Sequence, residues 1–162
     1  MSIDRVKAYF RTLGMEQRVL EFPVSSATVE LAAAAVGVIP ARIAKTLSFR
    51  VDDGCILIVA AGDAKVDNQR YKAKFHTKAR MLSADEVEPM TGAAPGGVCP
   101  FALPPHVTVY LDESLKRFTT VFPACGSSNS AIELTNDELY RYANAAEWVD
   151  VCKGWRPEEA QG

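Results

Sequence analysis

Thr46-Leu47-Ser48-Phe49-Arg50-Val51, then Asp52-Asp53-Gly54, then Cys55-Ile56-Leu57-Ile58-Val59-Ala60-Ala61, is the stretch that decides the fold of this chain. An alternating run, a cluster of turn formers and an unbroken apolar run together predict a β-hairpin whose second strand is a buried central one. Upstream, Pro40 suits the first turn of a short helix reaching Ala44. Before it, Ser25-Ser26 precede a helix from Thr28 to Val36 that Gly37 ends, and a short strand, Val19 to Phe22, stops at Pro23. At the start, Val6, Tyr9, Phe10 and Leu13 recur at helical steps between a cap at Ser2 or Asp4 and a stop at Gly14.

Downstream, Asp67 opens a basic helix to about Phe75, and Ser83 caps another from Ala84 to Met90. A loop from Thr91 to Pro100 follows, then strands Val107 to Leu111, Thr119 to Phe122 and Ala131 to Leu134, and a helix from Thr135-Asn136 to Ala143. Hairpins mixed with helices favour an α+β fold over a strictly alternating parallel sheet. The expected architecture is a single domain over 1–162, with a curved mixed β-sheet (a partial barrel) flanked by helices. The tail after Trp148 has little periodicity and is expected to fray from about Pro157.

The 162 residues suit one core, and 48% apolar with 23% charged residues excludes disordered and low-complexity classes. The net charge of −2 advertises no polyanion partner for the molecule as a whole. The N-terminus lacks the pattern of a secretory signal, and the longest apolar runs, Leu31 to Ile39 and Cys55 to Gly62, are far short of the roughly 20 residues of a membrane span. Cys55, Cys99, Cys125 and Cys152 form no C-x-x-C pair, so reduced thiols in a cytoplasmic protein are expected. Neither His76 nor His106 neighbours a nucleophile motif, no His/Asp/Glu cluster has metal-ligand spacing, and no glycine-rich nucleotide loop follows a strand. No cofactor and no metal are expected.

Three features carry chemistry. Strand alternation puts Lys45 on one face with Ile43, Leu47 and Phe49, where a lysine either snorkels to the sheet rim or projects its ammonium into a pocket for an anion or carbonyl. The loop Gly92-Ala93-Ala94-Pro95-Gly96-Gly97-Val98-Cys99-Pro100 is either a plain connection or a backbone cradle able to act as an oxyanion hole, with Cys99 as a lining group. Between Lys65 and Arg80, six basic residues (Lys65, Arg70, Lys72, Lys74, Lys78 and Arg80) face one acid, Asp67, so this segment is +5 and the remainder −7. It is either a solvated face or a phosphate contact interleaved with Tyr71 and Phe75.

Thr28 to Pro40 running into Ile43-Ala44-Lys45-Thr46-Leu47, then Gly96-Gly97-Val98-Cys99-Pro100-Phe101, then Ala124-Cys125-Gly126 with Ile132-Glu133-Leu134, resembles the YbaK/EbsC family of aminoacyl-tRNA editing domains. The resemblance extends over roughly Met1 to Tyr142. It implies hydrolysis of the ester joining a mischarged amino acid to a tRNA, as a free-standing protein or as an insertion in prolyl-tRNA synthetase. By matching position, Lys45 is the pocket lysine, and Gly96, Gly97, Val98, Cys99 and Pro100 form the loop around the ester carbonyl. Thr28 and Gly126 line the same pocket, and Thr46 joins them as a substrate-binding residue. Arg70, Lys72, Lys74 and Lys78 become the tRNA contacts, and the expected partners are mischarged aminoacyl-tRNA and prolyl-tRNA synthetase.

The resemblance implies that Lys45 holds the terminal phosphate or ribose while backbone N–H groups stabilise the oxyanion, so no histidine triad is needed. One departure stands out: family members with an acid before Ile-Glu-Leu differ from this chain, which has Ala131 there, and Ser127 and Asn129 are the polar residues able to stand in. The rival reading is a binding module that keeps the pocket and basic helix without turnover.

Overall fold

β2 (Ile43–Val51) and β3 (Gly54–Ala61) form the expected hairpin, in register from Val51↔Gly54 to Ala44↔Ala61. Asp52 turns the corner at φ +52°, a left-handed conformation that short Asx side chains tolerate. β3 is buried from Cys55 to Ala61 because it is central. It pairs with β2 on one side and in parallel with β5 (Thr108–Asp112) on the other. The chain is a computed structural model that describes residues 2–157.

With β6 (Thr120–Pro123), β8 (Leu134–Thr135) and β9 (Glu147–Val149), these strands make a curled six-stranded mixed sheet, a half-barrel in the order β8-β6-β2-β3-β5-β9. Two small ladders close its ends. One is β1 (Val19–Glu21) with β7 (Ser130–Ile132), the other β4 (Lys65–Val66) with β10 (Cys152–Lys153). Around the sheet lie α1 (Ser2–Thr12), α2 (Val29–Val36), α3 (Asn68–Phe75), α4 (Ala84–Thr91) and α5 (Asn136–Tyr142). The result is a single α+β domain.

α1 buries Val6 and Phe10, with the Phe10 ring edge-on to Phe101 at 4.9 Å. Across the sheet, α3 sets Tyr71 against Phe49 and Phe75 against Tyr110, with centroids 5.1 and 5.0 Å apart. These aromatic pairs fix α3 over β2, β3 and β5, where burial rather than charge decides its position.

Three expectations change. The helix expected from Pro40 to Ala44 is only a 3₁₀ turn, Pro40–Arg42, because Ile43 and Ala44 already pair with Phe122 and Pro123 of β6. The strand expected from Ala131 to Leu134 divides at Glu133: β7 pairs with β1, and β8 pairs with β6. The tail after Trp148 is not featureless. Val151 donates its N–H to buried Asp112 at 3.0 Å, and Cys152 is fully buried on β10. The fraying expected from Pro157 falls, past that residue, outside the described residues. Among the described residues no helix is long and apolar enough to cross a membrane, and no His, Cys, Asp and Glu side chains gather as metal ligands.

Candidate active site

The outer edge of β2 is covered at both ends and open in the middle. At its start, β6 covers Ile43 and Ala44. Towards its end, Ser48 accepts from Leu82 N–H at 3.1 Å and Arg50 donates to the Arg80 carbonyl at 2.8 Å. Between them, a cavity of about 440 Å³ opens along Lys45, Thr46 and Leu47. Small side chains, Ala32, Ala124 and Ala131 among them, leave the space that this cavity occupies.

Lys45 sits half-buried in the cavity wall, its ammonium donating to the carbonyls of Gly62, at 3.3 Å, and Ala64. Burial lowers its pKa below the ordinary 10.5, and nearby Lys65 pushes the same way against Cys152 and Asp63. Two of its three N–H donors are engaged, leaving one for a ligand. Gly62 allows this arrangement because a Cβ there would lie 2.1 Å from the Pro40 carbonyl. Thr46, next along the strand, holds a buried Oγ1 with no partner among the described residues.

Thr28 lines the same cavity while capping α2, its hydroxyl accepting from Leu31 N–H at 3.1 Å. Of the glycine-rich loop, Pro95, Gly96 and Val98 reach the cavity. Gly97 lies behind them: its N–H bonds to the Ala94 carbonyl at 2.9 Å, and a Cβ on it would meet the Gly126 carbonyl at 3.2 Å. Pro100 is buried away from the cavity lining. Cys99 is buried too, its Sγ 3.8 Å from the Phe101 carbonyl, and burial pushes its thiol up to about 12. A thiol so placed stays protonated and cannot act as a nucleophile at neutral pH.

Gly126, Ser127 and Asn129 stand one layer out. Ser127 donates to the side-chain Oδ1 of Asn129 at 2.9 Å, while the Asn129 side-chain Nδ2 donates to the Phe22 carbonyl at 2.9 Å. Ser26 N–H bonds to the Ser128 carbonyl. This loop therefore ties the segment before α2 to the glycine-rich loop. Ala131 lines the cavity directly, and so do Met81, Leu82, Phe122 and Ser130, which sequence reasoning did not single out. Met81 alone carried a signal, as an apolar residue between a basic segment and a helix cap, and it is 56% exposed.

The basic helix divides. Arg70 bonds to Asp150 at 3.0 Å and Lys74 to Glu147, whereas Lys72 and Lys78 have no ion-pair partner among the described residues and line a second, open cavity of about 380 Å³. His76 caps the end of α3 at φ +62°, and His106 is exposed; neither lines the first cavity.

A half-barrel with a single-edge cavity, an ammonium in its wall and a glycine loop across its mouth defines a small α+β domain built to hold a compact polar ligand. The chain belongs to the aminoacyl-tRNA editing domain family, whose model matches residues 24–142. It is 57% identical over 156 residues to the uncharacterized protein YwhH of Bacillus subtilis (strain 168), covering 96% of this chain and 99% of that one. A proline--tRNA ligase of Bacillus licheniformis is 26% identical over 125 residues, which are 76% of this chain and 22% of the ligase. The chain thus spans about a fifth of that ligase. Among solved structures, a proposed trans-editing enzyme for prolyl-tRNA synthetase superposes with a TM-score of 0.84 at 30% identity, covering 94% of this chain and 98% of that one. The family expected from the motifs is the family found.

Proposed function

We propose that this protein is a trans-editing deacylase that hydrolyses the ester of mischarged aminoacyl-tRNA, with tRNA-Pro as its substrate, in the cytoplasm where such tRNAs are charged. The observation that carries the reading is the meeting of Lys45, Thr28, Gly96 and Val98 on one cavity. The kinship with proline--tRNA ligases and with a trans-editing structure supports the tRNA and favours prolyl-tRNA synthetase as the partner.

Hydrolysis needs a water placed against the carbonyl carbon and donors for the oxygen that becomes negative. The loop supplies those donors. With the Gly97 N–H bonded to Ala94, the Gly96 and Val98 N–H groups have no backbone partner among the described residues. Lys45 holds the terminal phosphate or ribose through its remaining donor. As the water oxygen bonds to the carbonyl carbon, the bond to the ribose oxygen breaks. That oxygen leaves as a hydroxyl after taking the water's proton through ordered solvent or a ribose hydroxyl.

Deacylation assays on alanyl-, seryl- and cysteinyl-tRNA carrying the proline anticodon test the reading. Turnover of at least one by the native protein, and its loss in Lys45→Ala, is the expected outcome. No turnover of any of the three, alongside measurable tRNA binding, would assign a binding module instead.

A further inference from the structure

The open stretch of β2 has a definite polarity. The two-residue turn makes Val51 and Gly54 a bonded pair, so bonded pairs with β3 recur at Phe49↔Ile56, Leu47↔Ile58 and Lys45↔Ala60. Ser48 and Arg50 turn their backbone groups outward, where they meet Leu82 and Arg80. Thr46 has the same parity, so its N–H and C=O also point outward. There β6 has already ended at Ala44, and the covering segment has not yet begun. Among the described residues nothing bonds to either group, and both lie at the cavity that Thr46 lines. The unpartnered Thr46 hydroxyl lies at the same place. Backbone groups left unpaired at a shielded position cost free energy unless a ligand satisfies them.

We infer that Thr46 binds the aminoacyl group of the substrate as a strand would bind one further residue. In a bonded antiparallel pair, two residues exchange both hydrogen bonds, each giving its own N–H to the other's C=O. An aminoacyl ester carries this pair of groups on one α-carbon: an ammonium donor and a carbonyl acceptor. The Thr46 carbonyl accepts from the α-ammonium, and the Thr46 N–H donates to the ester carbonyl oxygen. It is strand addition reduced to one residue, and it reads the feature common to all amino acids while the alanine-lined walls judge the side chain. The inference rests on the editing reading above and adds to it a positioning role for the Thr46 main chain.

Two measurements test it. Thr46→Pro removes the N–H at an edge position outside the β3 ladder, where proline breaks no sheet hydrogen bond. Its kcat/KM for the mischarged tRNA that the native protein hydrolyses should fall about 100-fold, the usual cost of one lost oxyanion-side donor. Amide exchange in the unaltered protein supplies the second reading, independent of whether that variant folds. The Thr46 amide should exchange faster than those of Lys45 and Leu47 in the free protein. It should become protected when a non-hydrolysable alanyl amide of 3′-amino-3′-deoxyadenosine fills the cavity. An unmoved Thr46 amide at saturating analogue, or undiminished turnover by folded Thr46→Pro, would overturn the inference and leave the editing reading standing. A native protein that neither deacylates nor binds the analogue would overturn both.

Discussion

The cavity wall and the basic helix treat their polar groups in opposite ways. Along β2 and the glycine-rich loop, Thr46 Oγ1 has no partner and the N–H groups of Gly96 and Val98 no backbone partner among the described residues. On α3 and just past its end, two of the four candidate cations, Arg70 and Lys74, are already neutralised by Asp150 and Glu147 across the surface. Formal charge therefore overstates what α3 offers a phosphate, while the nearly neutral wall offers more than its composition suggests. A site is marked by unsatisfied, pre-placed groups rather than by the density of charged residues.

The largest effect should come from the wall. Lys45→Ala, which removes the ammonium donating to Gly62 and Ala64, is expected to lower deacylation at least about 100-fold, measured as single-turnover rate on the mischarged tRNA. Next is Gly97→Ala. Its new methyl would press on the Gly126 carbonyl and Ser127 Cα, at 3.2 and 3.4 Å, shifting the loop. A rate loss of about tenfold is expected, with a stability cost of about 1 kcal/mol by thermal unfolding. An unaltered rate would mean that the loop backbone is not part of the chemistry.

The helix gives smaller, salt-dependent effects. Replacing Lys72 and Lys78 together by alanine should reduce the slope of log affinity against log salt by about two, one released counterion per lost phosphate contact. Removing Arg70 and Lys74 should change it less, because their charges are already matched. Equal effects from the two pairs would erase the contrast drawn above. The smallest effect expected is a gain: Thr46→Val removes a buried, unpartnered hydroxyl at constant shape and should stabilise the free protein by about 1 kcal/mol in denaturant titration.

Much of this was legible beforehand, for reasons that can be named. The hairpin from Thr46 to Ala61 and the helices holding Phe10, Thr28 and Tyr71 declare themselves by period and caps, which are local properties. Lys45 and Gly96, which line the cavity, stood out beforehand because a lysine on an apolar strand face and paired glycines in a loop are locally odd. What escaped is tertiary in origin. β10 forms because Asp112, far away in the chain, accepts the Val151 N–H and Cys152 is fully buried, and nothing in a two-residue strand announces that. Met81 and Leu82 become cavity walls only because β2 offers them an edge to pair with. The solvated-face and phosphate readings of Lys65 to Arg80 look alike in sequence, which shows charges but not the acids, Asp150 and Glu147, that fold back to meet Arg70 and Lys74.

The gap on β2 also bears on how an open strand edge avoids recruiting other strands. Exposed strand edges invite other chains to add on, the first step towards aggregation. Here the uncovered stretch runs only between Ala44 and Ser48, a span of about 13 Å at the usual rise per residue. Segments already bonded to the strand bracket it on both sides. A foreign strand several residues long cannot seat without displacing one of those segments, whereas a group the size of a single residue can. The same short aperture thus admits a small guest and bars a polymeric one, so the protein can keep an edge open without becoming sticky.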